Sequence, residues 1–257
     1  MPETAYTSEF YESVRAGSRR SASVVVPSVL KMLRVKSVVD VGCGVGSWLA
    51  VFRELGVTDT VGLDGDYVDR RLIQIPQDQF AATDLSSPFG LPRTFDLAVC
   101  LEVAEHLPPS AAQGLVRSLT RLAPVVLFSA AIPFQGGNYH LNEQWPDYWA
   151  ALFKQHDYLP IDCIRWRVWQ NDEVEWWYSQ NALLYASGAH IQNDTVLRRE
   201  YERTNPQQLC IVHPRKYLDA AQPAPPGVRT AFSLLAQALK LALLRRMRRR
   251  TQAKGNA

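Results

Sequence analysis

Short apolar runs alternate with amphipathic stretches through the first half of the chain. The runs near 37–41, 59–63, 79–83, 95–101 and 124–130 are rich in Val, Leu, Ile and Phe on consecutive positions, the pattern of strands buried on both faces. Helical spacing fills the gaps between them, and β-α alternation predicts a parallel sheet with helices on both sides. Residues 5–33 read as two helices, with Ser21 or Ser23 as a cap and Pro27 near the start of the second. The helix expected after Gly46 stops at Gly56, and Pro146 opens another over 146–155. Ile161–Trp169 and Trp176–Ala186 flank the polar turn Gln170-Asn171-Asp172-Glu173 and predict a β-hairpin. No internal repeat is visible.

The first apolar run ends in chemistry. Residues 38–46 read Val-Val-Asp-Val-Gly-Cys-Gly-Val-Gly, with Asp40 two positions before alternating Gly42, Gly44 and Gly46. Glycines allow a tight turn and let the backbone approach a ligand where a Cβ would collide. Strand, glycine turn and helix make a nucleotide-type cofactor site. A dinucleotide fingerprint needs Gly-x-Gly-x-x-Gly, and this turn is one residue short of it. An oxidoreductase is therefore the weakest functional class for this chain.

The Asp40 and Gly-x-Gly-x-Gly pattern resembles motif I of the class I S-adenosylmethionine (SAM) methyltransferases. Three later stretches agree with that resemblance. Asp64 ends a second short strand, 18 residues after Gly46, where the family's matching acid accepts the ribose hydroxyls. Asp84-Leu85 resembles the adenine contact. Glu102-x-x-Glu105-His106 after the fourth run resembles the Glu-x-x-Glu-His form of a later motif, on a strand end where α/β sheets bind ligands. The resemblance covers residues 20–187. It implies a Rossmann-like α/β fold, a mostly parallel seven-stranded sheet with an antiparallel last strand and helices on both faces. It also implies SAM as cofactor, held by Asp40, Gly42, Cys43, Gly44, Gly46, Asp64, Asp84, Leu85, Leu101 and Glu102.

The acceptor side is expected in the aromatic loop 132–149, which follows the fifth run and contains His140, Asn142 and Glu143. Gly136-Gly137 gives that loop the mobility of a substrate loop. Two mechanisms stay open. In one, His140 or His106, beside Glu105, is a general base that takes a hydroxyl proton. In the other, Glu102, Glu105, His106 and His140 bind one divalent ion, Mg or Mn, that lowers the pKa of the acceptor hydroxyl. The second pattern resembles metal-dependent RNA 2′-O-methyltransferases and some quinone O-methyltransferases. Six of seven tryptophans lie between Trp145 and Trp177; they stack on a flat acceptor or fill the core between loop, helix and hairpin.

Composition narrows the partners. The chain has 257 residues, 47% hydrophobic content and net charge +3, enough for one good core and too little charge for nucleic-acid binding by bulk electrostatics. Cys43, Cys100, Cys163 and Cys210 show no metal or disulfide spacing, and no signal peptide opens the chain; a cytoplasmic protein is expected. Gln222–Gly227 is a linker signal. Residues 228–250 join an apolar stripe to Arg245, Arg246 and Arg248–Arg250, a helix suited to an anionic membrane surface. A docked helix and an RNA-binding tail are its rivals. The expected organisation is therefore cofactor-covering helices at 1–33, a SAM-binding domain at 34–190, an extension at 191–222, and linker plus basic helix at 223–257. The run His140-x-Asn142-Glu143-x-Trp145-Pro146 resembles bacterial methyltransferases of glycans and natural products, so the expected reaction is O-methylation of a sugar, glycan or related small-molecule hydroxyl. Metal-assisted RNA 2′-O-methylation and a non-catalytic SAM-binding scaffold are the alternatives.

Overall fold

The alternating burial of β4 shows how the sheet is built. Leu97, Val99 and Leu101 enter one hydrophobic cluster, and Ala98 and Cys100 enter another on the opposite face, as the period of two requires. In the computed structural model, residues 8–221 are described, with side chains from Ala16 onward, together with Ser233, Leu235, Gln237 and Lys240. The strands are β1 Ser37–Val41, β2 Asp59–Asp64, β3 Phe80–Ala82, β4 Leu97–Leu101, β5 Val125–Ser129, β6 Tyr158–Ile161 and β7 Leu183–Ser187. The helices are α1 Ser8–Met32, α2 Ser47–Glu54, α3 Ala112–Leu122, α4 Pro146–Lys154, α5 Arg165–Val168, α6 Trp176–Asn181, α7 Gly188–Asn193, α8 Thr195–Arg203 and α9 Pro214–Ala221.

One seven-stranded sheet has the order β3-β2-β1-β4-β5-β7-β6. β7 runs antiparallel to both β5 and β6, and the other strands share one direction. The expected mostly parallel sheet with an antiparallel last strand is thus observed. The chain leaves β1 outward to β3 and returns to β4 on the other side of β1. That reversal puts the carboxyl ends of β1 and β4 side by side, where open α/β sheets bind ligands. Helices α1 and α2 cover one face through Val25, Val29, Leu49 and Phe52. Helices α3 and α4 cover the other through Leu115, Leu119, Trp149 and Phe153.

Two expectations need correction. Within the expected 5–33 stretch the described residues form one helix, α1, Ser8–Met32, with Pro27 inside it. Ser21 and Ser23 are not caps; their hydroxyls donate to the carbonyls of Gly17 and Arg19 four residues back. Burial of Val25, Val26 and Val29 outweighs the break that an interior proline favours. The predicted hairpin is real only as a pairing. β6 and β7 are antiparallel, with Tyr158 opposite Ser187 and Ile161 opposite Leu184, but both are short. The segment between them forms α5 and α6, where aromatic residues of high strand propensity pack helically instead. Tertiary packing overrides that propensity: Tyr178 lies edge-on to Trp48, ring centroids 5.2 Å apart.

Contacts divide the chain into two units, one ending at Lys216 and the other beginning at Tyr217. The expected basic helix at 228–250 lies outside the described residues apart from Ser233, Leu235, Gln237 and Lys240, which are helical and exposed. Among the described residues no helix is long and apolar enough to cross a membrane.

Candidate active site

β1 delivers a buried carboxylate to the switch point. Asp40 is 2% exposed, and its Oδ2 has no hydrogen-bond partner. Burial, reinforced by the charge of Asp64, pushes its carboxyl up to about 8. The next residues turn back over the strand ends. The N–H groups of Gly42 and Cys43 both donate to the carbonyl of Leu63. Gly44 has φ 53°, and a Cβ added there would meet nothing within 4 Å. Its backbone therefore borders open space, as a ligand-approach glycine requires. Gly46, also at positive φ, precedes the first turn of α2.

Asp64 closes this turn from the side of β2. Its Oδ2 accepts the Gly44 N–H at 2.7 Å; its Oδ1 accepts the Gly65 N–H at 2.6 Å and the Tyr67 hydroxyl at 2.7 Å. Burial raises its pKa while these three donors pull it down. Asp84 stands apart from this group in environment. It is exposed, and its carboxylate accepts the Ser86 N–H and the hydroxyls of Ser86 and Ser87, which hold its pKa low. Leu85 is buried in the core beside it in sequence, and Leu101 is buried at the end of β4.

The other half of the site follows β4. Glu102 sits at φ 54°, an unusual conformation for a residue with a side chain. Its N–H donates to Ser129, and its carboxylate accepts Gln135 Nε2 at 3.0 Å and Asn181 Nδ2 at 3.2 Å. Glu105 is fully buried; one oxygen accepts the Ala131 N–H and Oε2 has no partner. Burial pushes both carboxyls up, and the charge of Glu102 pushes Glu105 further. His106 and His140 lie edge to face, ring centroids 4.9 Å apart. Burial, then the neighbouring His140, lowers His106 to about 4, so its imidazole is neutral at ordinary pH. His140 Nδ1 is 2.9 Å from Glu143 Oε1.

Hydrogen bonds tie loop 132–145 to the end of β4 and to itself. The N–H groups of Leu141 and Asn142 donate to the Glu105 carbonyl, and Glu143 accepts the N–H groups of Phe134 and Gly136. Phe134 and Tyr139 are held at positive φ, backbone strain of the kind that gathers at functional loops. Of the four expected metal ligands, Glu105, His106 and His140 bring donor atoms within 4.8 Å of one another. Glu102 is outside that cluster; its carboxylate accepts the two amides and neighbours the carboxyl of Glu105.

A family model described as a methyltransferase domain matches residues 19–183. The chain belongs to the methyltransferase family. No curated protein matches the sequence of this methyltransferase significantly. Among solved structures, magnesium protoporphyrin IX methyltransferase of Synechocystis with bound SAH shares 18% identity at TM-score 0.51, with 71% of this chain and 89% of that one covered. DesVI of Streptomyces venezuelae shares 20% identity at TM-score 0.41, with 50% of this chain covered. The methyltransferase spans 59% of the length of DesVI and 56% of that of the glycopeptide N-methyltransferase MtfA. These likenesses bear on the fold alone.

The sequence reading missed the amides of this site. Gln135, Gln180 and Asn181 are buried and bonded to one another, and Gln135 and Asn181 also to Glu102. The only sequence trace was a polar Ser179-Gln180-Asn181 run inside an aromatic stretch. Trp149 is core, whereas Trp145 and Trp166 are exposed.

Proposed function

We propose that this methyltransferase transfers a methyl group from SAM to a hydroxyl oxygen of a sugar, glycan or related small-molecule acceptor. The observation that carries the reading is the His106–His140 pair between buried Glu105 and Glu143, on the strand end next to the glycine turn. SAM supplies an electrophilic methyl when bound. The residues present fit it: Asp40 has a buried unpartnered oxygen for its cationic end, Gly44 leaves room for close approach, and Asp64 presents a carboxylate to the ribose. Gly42, Cys43, Gly46, Asp84, Leu85, Leu101 and Glu102 are its further contacts in this reading.

His106 is too weak a base near neutral pH, so proton removal falls to His140. Glu143 holds Nδ1, which leaves Nε2 to take the proton. The acceptor oxygen gives up that proton as it takes the methyl. A second reading rests on one observation: Glu105 Oε2 and His106 Nδ1 are buried without partners, and with His140 they form a compact donor set. That set suits a divalent ion, which would lower the pKa of the acceptor hydroxyl.

The decisive experiment incubates the protein with SAM and panels of saccharides, small hydroxyl compounds and RNA oligonucleotides, reading product mass and SAH release. O-methylated saccharide supports the reading; methylated RNA alone replaces it; SAM binding without transfer to any class makes the chain a scaffold. The role of residues 228–250 at an anionic membrane rests on sequence, and co-sedimentation with anionic vesicles, with and without residues 223–257, tests it.

A further inference from the structure

The turn joining α5 to α6 borders two depressions outside the site described above. The larger, about 760 Å³, is lined by Trp166, Trp169, Gln170, Asn171 and Ile211 among others. The smaller, about 300 Å³, shares Trp169, Gln170 and Asn171 and adds Trp176 and His213. The larger volume is within the roughly 300–1,000 Å³ of small-molecule sites.

Every ionic group in the larger depression is already paired. Arg165 uses all its donors, on both oxygens of Asp162 and on the carbonyls of Gln180, Gln208 and Leu209. Arg167 is bound by Glu200 at 2.9 Å, and Asp172 pairs with Arg215. A charged ligand would compete with these pairs. What is left is neutral. Trp166 is 58% exposed, with the Arg167 guanidinium over its ring at 4.1 Å. Among the described residues, the Gln170 side chain makes no hydrogen bond, and Asn171 commits only its Oδ1, to the Glu173 N–H. Indole surface beside free amide groups matches a pyranose, which offers an apolar C–H face and a rim of hydroxyls.

We propose that this depression binds neutral carbohydrate, as a subsite for the part of a glycan acceptor remote from the methylated hydroxyl. Its place in catalysis rests on the glycan reading above; its affinity for saccharide does not. A chain of hydrogen bonds runs from the adjoining smaller depression to the Glu102 carboxylate. The His213 N–H donates to Gln180 Oε1 at 2.8 Å, Gln180 Nε2 to Gln135 Oε1 at 3.1 Å, and Gln135 Nε2 to Glu102 Oε2 at 3.0 Å.

The test titrates the full-length protein calorimetrically with neutral gluco-, manno- and galacto-configured tetrasaccharides and with tetragalacturonate as the charged comparison. Saturable binding of a neutral tetrasaccharide is expected, weakened about tenfold in Trp166→Ala and in Gln170→Ala, with SAM affinity and circular dichroism unchanged. For a methylated saccharide, Trp166→Ala should raise KM and leave kcat alone. The proposal is overturned if no neutral saccharide binds, if tetragalacturonate binds more tightly, or if a saccharide is methylated with equal KM by wild type and Trp166→Ala. The last result leaves the glycan reading standing. Binding that depends on Trp166, with no saccharide methylated, upholds the carbohydrate affinity of the depression and overturns its part in catalysis together with the glycan acceptor.

Discussion

The carboxylate of Asp64 reaches back across the sheet end to the N–H of Gly44, 2.7 Å away. One bond thereby ties the end of β2 to the glycine turn after β1. Asp64 serves the turn and, in the proposed function, the ribose. Asp64→Ala should weaken SAM binding by about 1–3 kcal/mol, the worth of a charge-assisted hydrogen bond. Calorimetry reads it directly, and an unchanged dissociation constant removes Asp64 from the cofactor site.

Gly42 and Gly44 are adjacent members of one motif with different duties. A Cβ on Gly42 would lie 2.3 Å from Val103 Cγ2, inside the core. Gly42→Ala should therefore lower the melting temperature sharply, through overpacking and positive φ together. Gly44→Ala meets no atom and carries only the strain of its φ, about 1 kcal/mol. Its Cβ would point into open space where the proposed function places SAM, so its main effect should be on SAM affinity. Thermal melts and titrations on both variants check the contrast; unchanged SAM affinity in Gly44→Ala would mean that the space at Gly44 is not used.

These assignments explain which parts were legible in sequence. The glycine turn, Asp40, Asp64 and the Glu105-His106 end of β4 are local motifs, fixed by chain geometry within a few residues of a strand end. The buried strands were legible because two-sided burial demands continuous apolar runs. Gln135, Gln180 and Asn181 were not, since Gln135 lies about 45 residues from the adjacent Gln180 and Asn181, and Gln135 and Asn181 meet Glu102 only after β5, β7 and α6 have packed. The 161–186 region failed for a related reason. Its tryptophans favour strands locally, but the fully buried Arg165 needs carbonyls of Gln180 and Leu209, and that demand shapes two short helices.

Asp40 gives a pH prediction. Its folded pKa of about 8 lies above the ordinary value of 3.8, so the folded chain holds a proton that the unfolded chain has lost. The associated stability is complete below about pH 4 and is lost as pH rises toward 8. Asp40→Asn escapes that loss and should be more stable than wild type by about 1–3 kcal/mol at pH 8, with no gain at pH 4. Ligand binding should show the reverse. Pairing with a cationic group requires ionised Asp40, so wild-type SAM affinity should rise with pH up to about 8 and release a proton. Calorimetry in two buffers of different ionisation enthalpy detects that proton, and Asp40→Asn should abolish it. A pH-independent wild-type affinity would detach Asp40 from the donor.

The last prediction separates the base from the metal. Glu143 holds His140 through Nδ1 and also accepts the N–H groups of Phe134 and Gly136. Glu143→Gln keeps the size but removes the charge that fixes the imidazole. It should lower kcat about tenfold or more while SAM affinity stays the same, because no cofactor contact is touched. His140→Ala should cost about 10²-fold or more. Chelation decides what His140 does. If it is a base, treatment with EDTA leaves wild-type turnover intact. If Glu105, His106 and His140 hold an ion, the same treatment abolishes turnover, and added Mg²⁺ or Mn²⁺ restores it. His106→Ala separates them a second way, since a neutral spectator imidazole can be removed with modest loss whereas a metal ligand cannot. Full activity in His140→Ala and His106→Ala alike would remove both mechanisms and leave positioning by loop 132–145 as the source of catalysis.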